Sequence, residues 1–167
     1  MNIFITGKPK VGKTTLVMEV IKELNLNVGG IITPEIRTNK REGFRIVDLS
    51  TGEEGILASV NQKSGPRVSK YRVNLKDLDR ISKQAIEKAI NEKDVIVIDE
   101  IGEMGFYSEI FKEEVEKALD SKKPVLAVLH RNYVKDFKDR GEIFELKKGN
   151  YNEIKKAIIN KIEKINK

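Results

Sequence analysis

The sequence contains no cysteine and only one histidine in 167 residues. The absence of cysteine excludes disulfides, thiolate metal sites and cysteine nucleophiles. Long hydrophobic runs are also missing, because no apolar segment approaches the roughly 18 residues of a membrane-spanning helix. The N-terminus leads directly into a short apolar run, which leaves no room for a signal peptide. We therefore expect a cytoplasmic protein with no membrane partner.

No linker-like stretch, low-complexity tract or internal repeat divides the chain. Its length suits one domain, residues 1–167, that buries about 70% of the surface of the unfolded chain. The 32 Lys and Arg exceed the 26 Asp and Glu, which gives a net charge of +6. Solvated lysines on helix faces explain such an excess, and a positive field also attracts polyphosphates. The net charge alone does not indicate that the protein binds nucleic acid. We also expect the protein to be a monomer.

The first fifteen residues carry the most specific pattern. The apolar run Ile3–Ile5 leads into G-x-x-x-x-G-K-T from Gly7 to Thr14, and helix-periodic apolar residues follow from Leu16. This strand–loop–helix context predicts a phosphate-binding P-loop rather than a chance Gly-rich turn. The predicted nucleotide-binding residues here are Gly7, Lys8, Pro9, Lys10, Val11, Gly12, Lys13, Thr14 and Thr15.

Each residue type in this loop suits a separate task. Gly7 and Gly12 permit backbone angles and close approaches that a side chain would block. The helix that begins near Lys13 directs unpaired N–H groups and its positive dipole end at phosphate oxygens. Lys13 can reach the β and γ phosphates, and the Thr14 hydroxyl is an oxygen ligand of the kind that Mg²⁺ prefers.

The remainder of the chain alternates strands and helices. Apolar and turn patterns predict strands at 28–33, 44–49, 55–60, 94–100, 125–129 and 143–146, and helices at 74–93, 108–121, 133–138 and the C-terminus. A basic turn, 37–43, and the short strands around it suggest an antiparallel hairpin or meander. Together these elements predict an α/β fold with a mainly parallel sheet and helices on both faces. The Gly/Pro-containing segment 61–70 is either an exposed loop or a mobile lid.

A second part of the site is predicted where a buried strand ends at Asp99 and Glu100. In open α/β sheets, ligands bind beyond the carboxyl ends of strands. Asp99 there can hold Mg²⁺ with Thr14, and Glu100 can orient and deprotonate the water that attacks the γ-phosphate. A solvated acidic strand end is the alternative. The P-loop argues against it, because the loop and the strand end each supply what the other lacks.

Three segments together resemble one enzyme family. They are the P-loop, the run V-I-V-I-D-E-I-G-E-M that ends at Met104, and G-G-I-I-T-P-E-I-R, which ends at Arg37. They are similar to the THEP-type nucleoside-triphosphatases, a family to which a vertebrate cancer-related NTPase is related. The resemblance covers essentially the whole chain. It implies a three-layer, RecA-like P-loop fold and Mg²⁺-dependent hydrolysis of ATP, GTP and other nucleoside triphosphates. Ile101 and Gly102 join the predicted nucleotide-binding residues.

The sequence departs from the family's pattern at two positions. Lys10 stands where glycine is frequent, so the fit and the charge of the loop should differ from those of the family. Gly105 follows Met104 where an acidic residue is usual, so this position supplies no acidic side chain.

The resemblance also implies that strand 125–129 lies between the P-loop strand and the Asp99 strand. His130 and Arg131 would then emerge near the γ-phosphate, where His130 binds nucleotide and Arg131 stabilises transition-state charge. The alternatives are a satisfied strand-end histidine, and a surface or base-contacting arginine. Arg37, Arg67 and Arg72 compete for the same charge-stabilising role.

Three functions remain open, and the first is favoured. The first is hydrolysis of nucleoside triphosphates, with Glu100, Lys13 and Arg131 as the expected catalytic residues. Alternatively the chain is a small nucleoside or nucleotide kinase with 61–70 as a lid, or a nucleic-acid-stimulated ATPase. The absence of an added binding module and the scarcity of aromatic residues for base stacking argue against nucleic acid.

Overall fold

The structure, a computed structural model, describes residues 1–166. It contains one ten-stranded sheet. The strands are β1 (Asn2–Gly7), β2 (Val28–Ile32), β3 (Glu35–Arg37), β4 (Arg41–Asp48), β5 (Glu54–Ser59), β6 (Arg67–Val68), β7 (Tyr71–Val73), β8 (Val95–Ile101), β9 (Val125–Leu129) and β10 (Glu142–Leu146). The helices are α1 (Lys13–Glu23), α2 (Leu75–Glu92), α3 (Glu103–Phe106), α4 (Glu109–Asp120), α5 (Val134–Phe137) and α6 (Tyr151–Ile165), and a 3₁₀ turn covers Arg131–Tyr133.

The strand order is β10–β1–β9–β8–β2–β4–β5–β7–β6, and β3 pairs with β4. The five strands from β10 to β2 are mutually parallel, whereas all later pairs are antiparallel. β9 lies between β1 and β8, so the strand order that the resemblance implies is confirmed. The carboxyl ends of β1, β9 and β8 therefore meet at one edge of the sheet, where P-loop proteins bind nucleotide.

Two hydrophobic cores cover the two faces of the parallel part. In β8 the buried run alternates, so that Val95 and Val97 pack with α1 and α6, whereas Ile96 and Ile98 pack with α2 and α4. Strands buried on both faces are typical of parallel sheets between helix layers. The predicted three-layer α/β fold is confirmed.

Strands β3–β7 form an antiparallel extension of the sheet, which we call the arm. It is joined to the parallel part through β2, which pairs with β8 on one side and with β4 on the other. Gly30 makes a close approach possible, because a Cβ atom there would lie 1.9 Å from the Val97 carbonyl oxygen of β8. Its φ of +115° also favours glycine.

Several boundaries differ from the sequence analysis. The predicted basic turn, 37–43, is the end of β3 and the start of β4, so β4 begins at Arg41 rather than at residue 44. The end of the predicted loop, 61–70, forms the short strand β6, and the four-residue helix α3 was not predicted. The predicted helix start at Asn74 is confirmed, because its side chain accepts a hydrogen bond of 3.1 Å from the Asp77 N–H.

Candidate functional site

The P-loop joins the end of β1 to the start of α1. Gly12 is the N-cap residue of α1, with a φ of +107°, and it offers no side-chain cap. The first turn of α1 also lacks an acidic residue. The N-cap residue therefore offers no side chain to the N–H groups at this helix end. These groups can instead bind an anion such as phosphate.

Lys10 adopts a left-handed backbone conformation at the middle of the loop. Its φ is +65°, and its side chain is exposed. For residues with a Cβ atom this conformation is unfavourable, by about 1–2 kcal/mol. The position where the sequence departs from the family is therefore one where glycine fits the backbone better. Lys10 adds a positive charge to the loop at the expense of backbone strain.

Lys13 and Thr14 begin α1 beside the end of β8. The Lys13 ammonium donates a hydrogen bond of 2.8 Å to the Gly7 carbonyl oxygen, which holds the side chain across the loop. Its positive charge lowers the pKa of both Asp99 and Glu100, and the nearby Thr14 hydroxyl also lowers the pKa of Asp99. The structure thus brings together the loop residues and the strand-end carboxylates that the sequence analysis combined.

Asp99 is a buried carboxylate with an unsatisfied oxygen. The residue is 3% exposed, and among residues 1–166 its Oδ2 atom has no hydrogen-bond partner. Burial raises the pKa of Asp99 to about 6, with a further rise from Glu100 and opposition from Thr14 and Lys13. A buried acceptor of this kind needs a partner. A cation that also contacts the Thr14 hydroxyl would satisfy it, so these residues fit Mg²⁺.

Glu100 is half-buried and lies outside the regular strand pairing. Asp99 pairs with Val128 and Ile101 with Leu129, so the register shifts at Glu100. Burial raises the pKa of its carboxyl group, and Lys13 opposes that rise. Gly102 leaves space for the carboxylate, because a Cβ atom there would lie 2.8 Å from Glu100 Oε1. A carboxylate with a raised pKa is a stronger base.

Thr33 was not predicted as part of the site, although it stands in the G-G-I-I-T run. Its hydroxyl donates a hydrogen bond of 2.9 Å to the Asp99 carbonyl oxygen. This contact ties the end of β2 to the end of β8. Thr33 therefore fixes the backbone that carries Asp99, and the threonine after the β2 strand was the signal in the sequence.

His130 lies at the end of β9, close to the P-loop lysine. Its backbone N–H donates to Ile101 O, at 3.0 Å, and its Nδ1 atom accepts from the Asn132 N–H, at 3.1 Å. Burial lowers the pKa of His130, as do Lys13 and Arg131, whereas Glu103 opposes the change. The neutral form therefore carries its proton on Nε2, which remains able to donate.

The candidate arginines lie at different distances from the P-loop. Arg131 follows His130 and is exposed. Arg37 is exposed in β3 and forms an ion pair of 3.6 Å with Glu35. Arg67 and Arg72 belong to β6 and β7, which are seven and six strand positions from β1. At about 4.8 Å per strand this is about 30 Å, far beyond the reach of an arginine side chain. Arg131, next to His130 at the end of β9, thus lies nearer the P-loop than Arg67 and Arg72.

Gly105, the second departure from the family's pattern, packs against an aromatic ring. A Cβ atom at this position would lie 2.5 Å from the Phe111 ring. The short helix α3 therefore lies close to α4, and any side chain at position 105 would require Phe111 to move.

Two further properties concern metals and membranes. Within residues 1–166, no group of three or more His, Cys, Asp or Glu side chains is arranged to hold a metal ion. A cation at Asp99 would thus take most of its ligands from outside the protein. Mg²⁺ commonly binds in this way, with substrate phosphates and water as its other ligands. In the same part of the chain, no helix is both long and apolar enough to cross a membrane.

The chain is similar to proteins of one family along almost its whole length. The sequence profile of the family described as NTPase matches residues 2–159. The Nucleoside-triphosphatase THEP1 of Methanocaldococcus jannaschii is 48% identical over 166 residues, which are 97% of both chains.

Solved structures agree with this assignment. The crystal structure of THEP1 from the hyperthermophile Aquifex aeolicus aligns with a TM-score of 0.87 and 32% identity, over 98% of this chain and 99% of that one. The solution structure of a human cancer-related nucleoside triphosphatase aligns with a TM-score of 0.77 and 28% identity, over 98% and 97%. The chain therefore belongs to the THEP1-type family of nucleoside-triphosphatases.

Proposed function

We propose that the protein is a Mg²⁺-dependent hydrolase that converts nucleoside triphosphates, ATP and GTP among them, to nucleoside diphosphate and phosphate. The main support is the buried, unpartnered Asp99 oxygen beside Thr14 and Lys13, with Glu100 as the next residue of the strand. The names of the relatives, which are nucleoside-triphosphatases, agree with this activity.

The P-loop binds the triphosphate through its backbone N–H groups and Lys13. These contacts recognise phosphate and not the base, so we expect several nucleoside triphosphates to be substrates. Thr14 and Asp99 would hold Mg²⁺, and the ion would supply positive charge that offsets the negative charge of the phosphates. Lys13 adds positive charge where negative charge develops in the transition state.

Glu100 activates the attacking water. Its carboxylate accepts a proton while the water oxygen forms a bond to the γ-phosphorus, and the bond from that phosphorus to the bridging oxygen breaks to release nucleoside diphosphate. The raised pKa of Glu100 suits this role. His130 donates from Nε2 to a phosphate oxygen, and Arg131 stabilises transition-state charge.

The test is the Glu100→Gln variant, with Glu109→Gln as the control. Glu109 is an exposed carboxylate on α4, so its replacement matches the charge change away from the site. We expect Glu100→Gln to lower kcat by about 10²- to 10⁴-fold, which is the usual contribution of a general base. Affinity for a non-hydrolysable triphosphate should stay close to that of the native protein. Full activity of Glu100→Gln would contradict the proposal.

The structure does not favour the kinase alternative. Segment 61–70, which suggested a lid, runs into β6, and β6 is the outermost strand on the side of the sheet away from β1. Incubation with labelled ATP and a panel of nucleosides and monophosphates separates the two functions. Label on free phosphate supports hydrolysis, whereas label on an acceptor supports a kinase.

A further inference from the structure

The positive charge of the protein is concentrated in one part of the arm. We call residues 35–44 and 60–73 the arm tip. It contains seven Lys and Arg and two Glu, a net charge of +5, whereas the whole chain has +6. The intervening residues 45–59, which contain the opposite turn, have one Arg and three acidic residues, a net charge of −2. Residues 1–34 and 74–167 together have a net charge of only +3, so the arm tip carries more positive charge in far fewer residues.

Strand direction places the arm tip at the nucleotide-binding edge of the sheet. β4 is antiparallel to β2, with Val47 opposite Ile32, and so its first residues extend beyond the carboxyl end of β2. Gly43 pairs with Ser59, and Ser59 pairs with Arg72. These positions lie four residues beyond Val47, or about 13 Å at 3.3 Å per residue. The basic surface thus extends past the edge where Asp99 lies.

Two arginines at this surface face each other. Arg67 of β6 pairs directly with Arg72 of β7. The neighbouring residues of the two strands, Val68, Tyr71 and Val73, pack toward the core beside α2. Alternation along a strand then puts both guanidinium groups on the other face. Like charges directly opposite each other destabilise a sheet.

No carboxylate neutralises this pair in the structure. Within residues 1–166, neither Arg67 nor Arg72 is among the ion pairs within 4.0 Å, and Arg72 donates only to the Gly65 carbonyl oxygen, at 2.9 Å. Exposed Lys63 and Lys70 lie in the same acid-free segment. An anion between the two guanidinium groups would convert their repulsion into charge-assisted hydrogen bonds.

We propose that the arm tip binds the phosphate backbone of single-stranded nucleic acid. The width of the surface argues against a single nucleotide. Adjacent strands lie about 4.8 Å apart. The distance from β4 to β6 is therefore about 14 Å, over three strand spacings, and the distance from β8 to β6 is about 24 Å, over five. A triphosphate held by the P-loop does not reach β6, whereas a flexible strand can follow a row of cations of this length.

The mode of binding follows from the side chains present. The arm tip has lysines and arginines, but its aromatic residues, Phe44 and Tyr71, pack toward the core. Binding should therefore depend on phosphate contacts and not on base stacking, with little preference for sequence. If about four phosphates are contacted, a plot of the logarithm of the affinity against the logarithm of the salt concentration should have a slope of about −3.

The experiment measures binding of a fluorescein-labelled 20-nucleotide oligo(U) by anisotropy, at increasing salt. The test variant is Arg67→Glu/Lys70→Glu, in which both residues are exposed. The control is Lys156→Glu/Lys164→Glu, which changes two exposed residues on α6 and gives the same net charge. We expect the arm variant to weaken binding by about tenfold or more and the control by much less, since only the former removes phosphate contacts.

Circular dichroism and thermal unfolding establish that both variants fold. If the arm variant does not, Arg67→Gln/Lys70→Gln serves in its place, with Lys156→Gln/Lys164→Gln as its control. Equal weakening by arm and control variants would overturn the proposal, because net charge alone would then explain binding. It would also be overturned by the absence of binding at low salt, or by binding of the arm to phosphatidylserine vesicles but not to oligo(U). Hydrolysis is not needed for this test, so its result is independent of the proposed function.

Discussion

Replacing Lys10 by glycine should stabilise the protein, although it removes a side chain from the P-loop. The φ of +65° at Lys10 is unfavourable for a residue with a Cβ atom, by about 1–2 kcal/mol. Glycine relieves that strain, but it increases the freedom of the unfolded chain, which offsets about 0.4–1 kcal/mol. We therefore expect a net gain of about 0.5–1 kcal/mol, or about 1–4 °C in Tm for a chain of this size.

The same change should weaken substrate binding without slowing the chemical step. Lys10 is exposed, so the loss of its charge reduces attraction to phosphate by an amount typical of surface charges, up to about 1 kcal/mol. Because this attraction acts equally on substrate and transition state, KM should rise about two- to fivefold while kcat stays unchanged. High salt should remove the difference, since it screens exposed charges.

Lys8→Gly is the matched control. It removes one positive charge from the same loop and introduces a glycine, but Lys8 does not have a positive φ. This variant should share the rise in KM without the gain in Tm, which steady-state kinetics and differential scanning calorimetry can measure. A lower Tm for Lys10→Gly than for Lys8→Gly would refute the argument from backbone conformation.

Three further predictions concern stability. In EDTA at pH 7.5, Asp99→Asn should have a free energy of unfolding about 3 kcal/mol higher than the native protein in urea titrations. The reason is that the pKa of Asp99 is about 6 in the folded state, against an ordinary value of 3.8. The raised pKa means that the native protein loses stability as pH rises from about 4 to 6, so the difference should shrink towards pH 4; a constant difference would contradict this. Gly30→Ala should destabilise by more than about 3 kcal/mol in the same assay. Gly52→Ala, with φ +78° and nothing within 4 Å of the new Cβ, should cost only about 1–2 kcal/mol, and equal losses would refute the contact argument. Gly105→Glu should lower Tm because its Cβ meets the Phe111 ring, and Phe111→Leu should lessen that loss; additive effects would argue against the contact.

The parts of the fold that were predictable are those with strong local patterns. The run of β-branched residues in β8 and the apolar run of β9 indicated buried parallel strands, and the P-loop was evident from its glycines, lysine and threonine. The short strands β3 and β6 have only three and two residues, so they carry no recognisable alternation. Their formation depends on pairing with β4 and β7, which the local sequence does not reveal.

The site was predictable to a similar extent. Residues of the P-loop and the Asp99–Glu100 pair were combined from their positions in the strand–helix pattern. Thr33 was missed, because its role is a hydrogen bond to a backbone atom 66 residues away. The basic turn 37–43 and the segment 61–70 were each recognised, but the strand pairing that brings them together at the arm tip was not predicted.

The position of β1 between two strands from the C-terminal part of the chain has a consequence for folding during synthesis. Its neighbours are β9 and β10, so residues 2–5 pair with 125–128 and residues 3–7 with 142–146. The ribosome makes the P-loop before β9 and β10, so the strand that carries it has no partner until residues 125–146 have been synthesised. Pairings this distant in sequence are slow to form. A nascent chain shorter than about 125 residues should thus contain the complete P-loop sequence without a formed phosphate site.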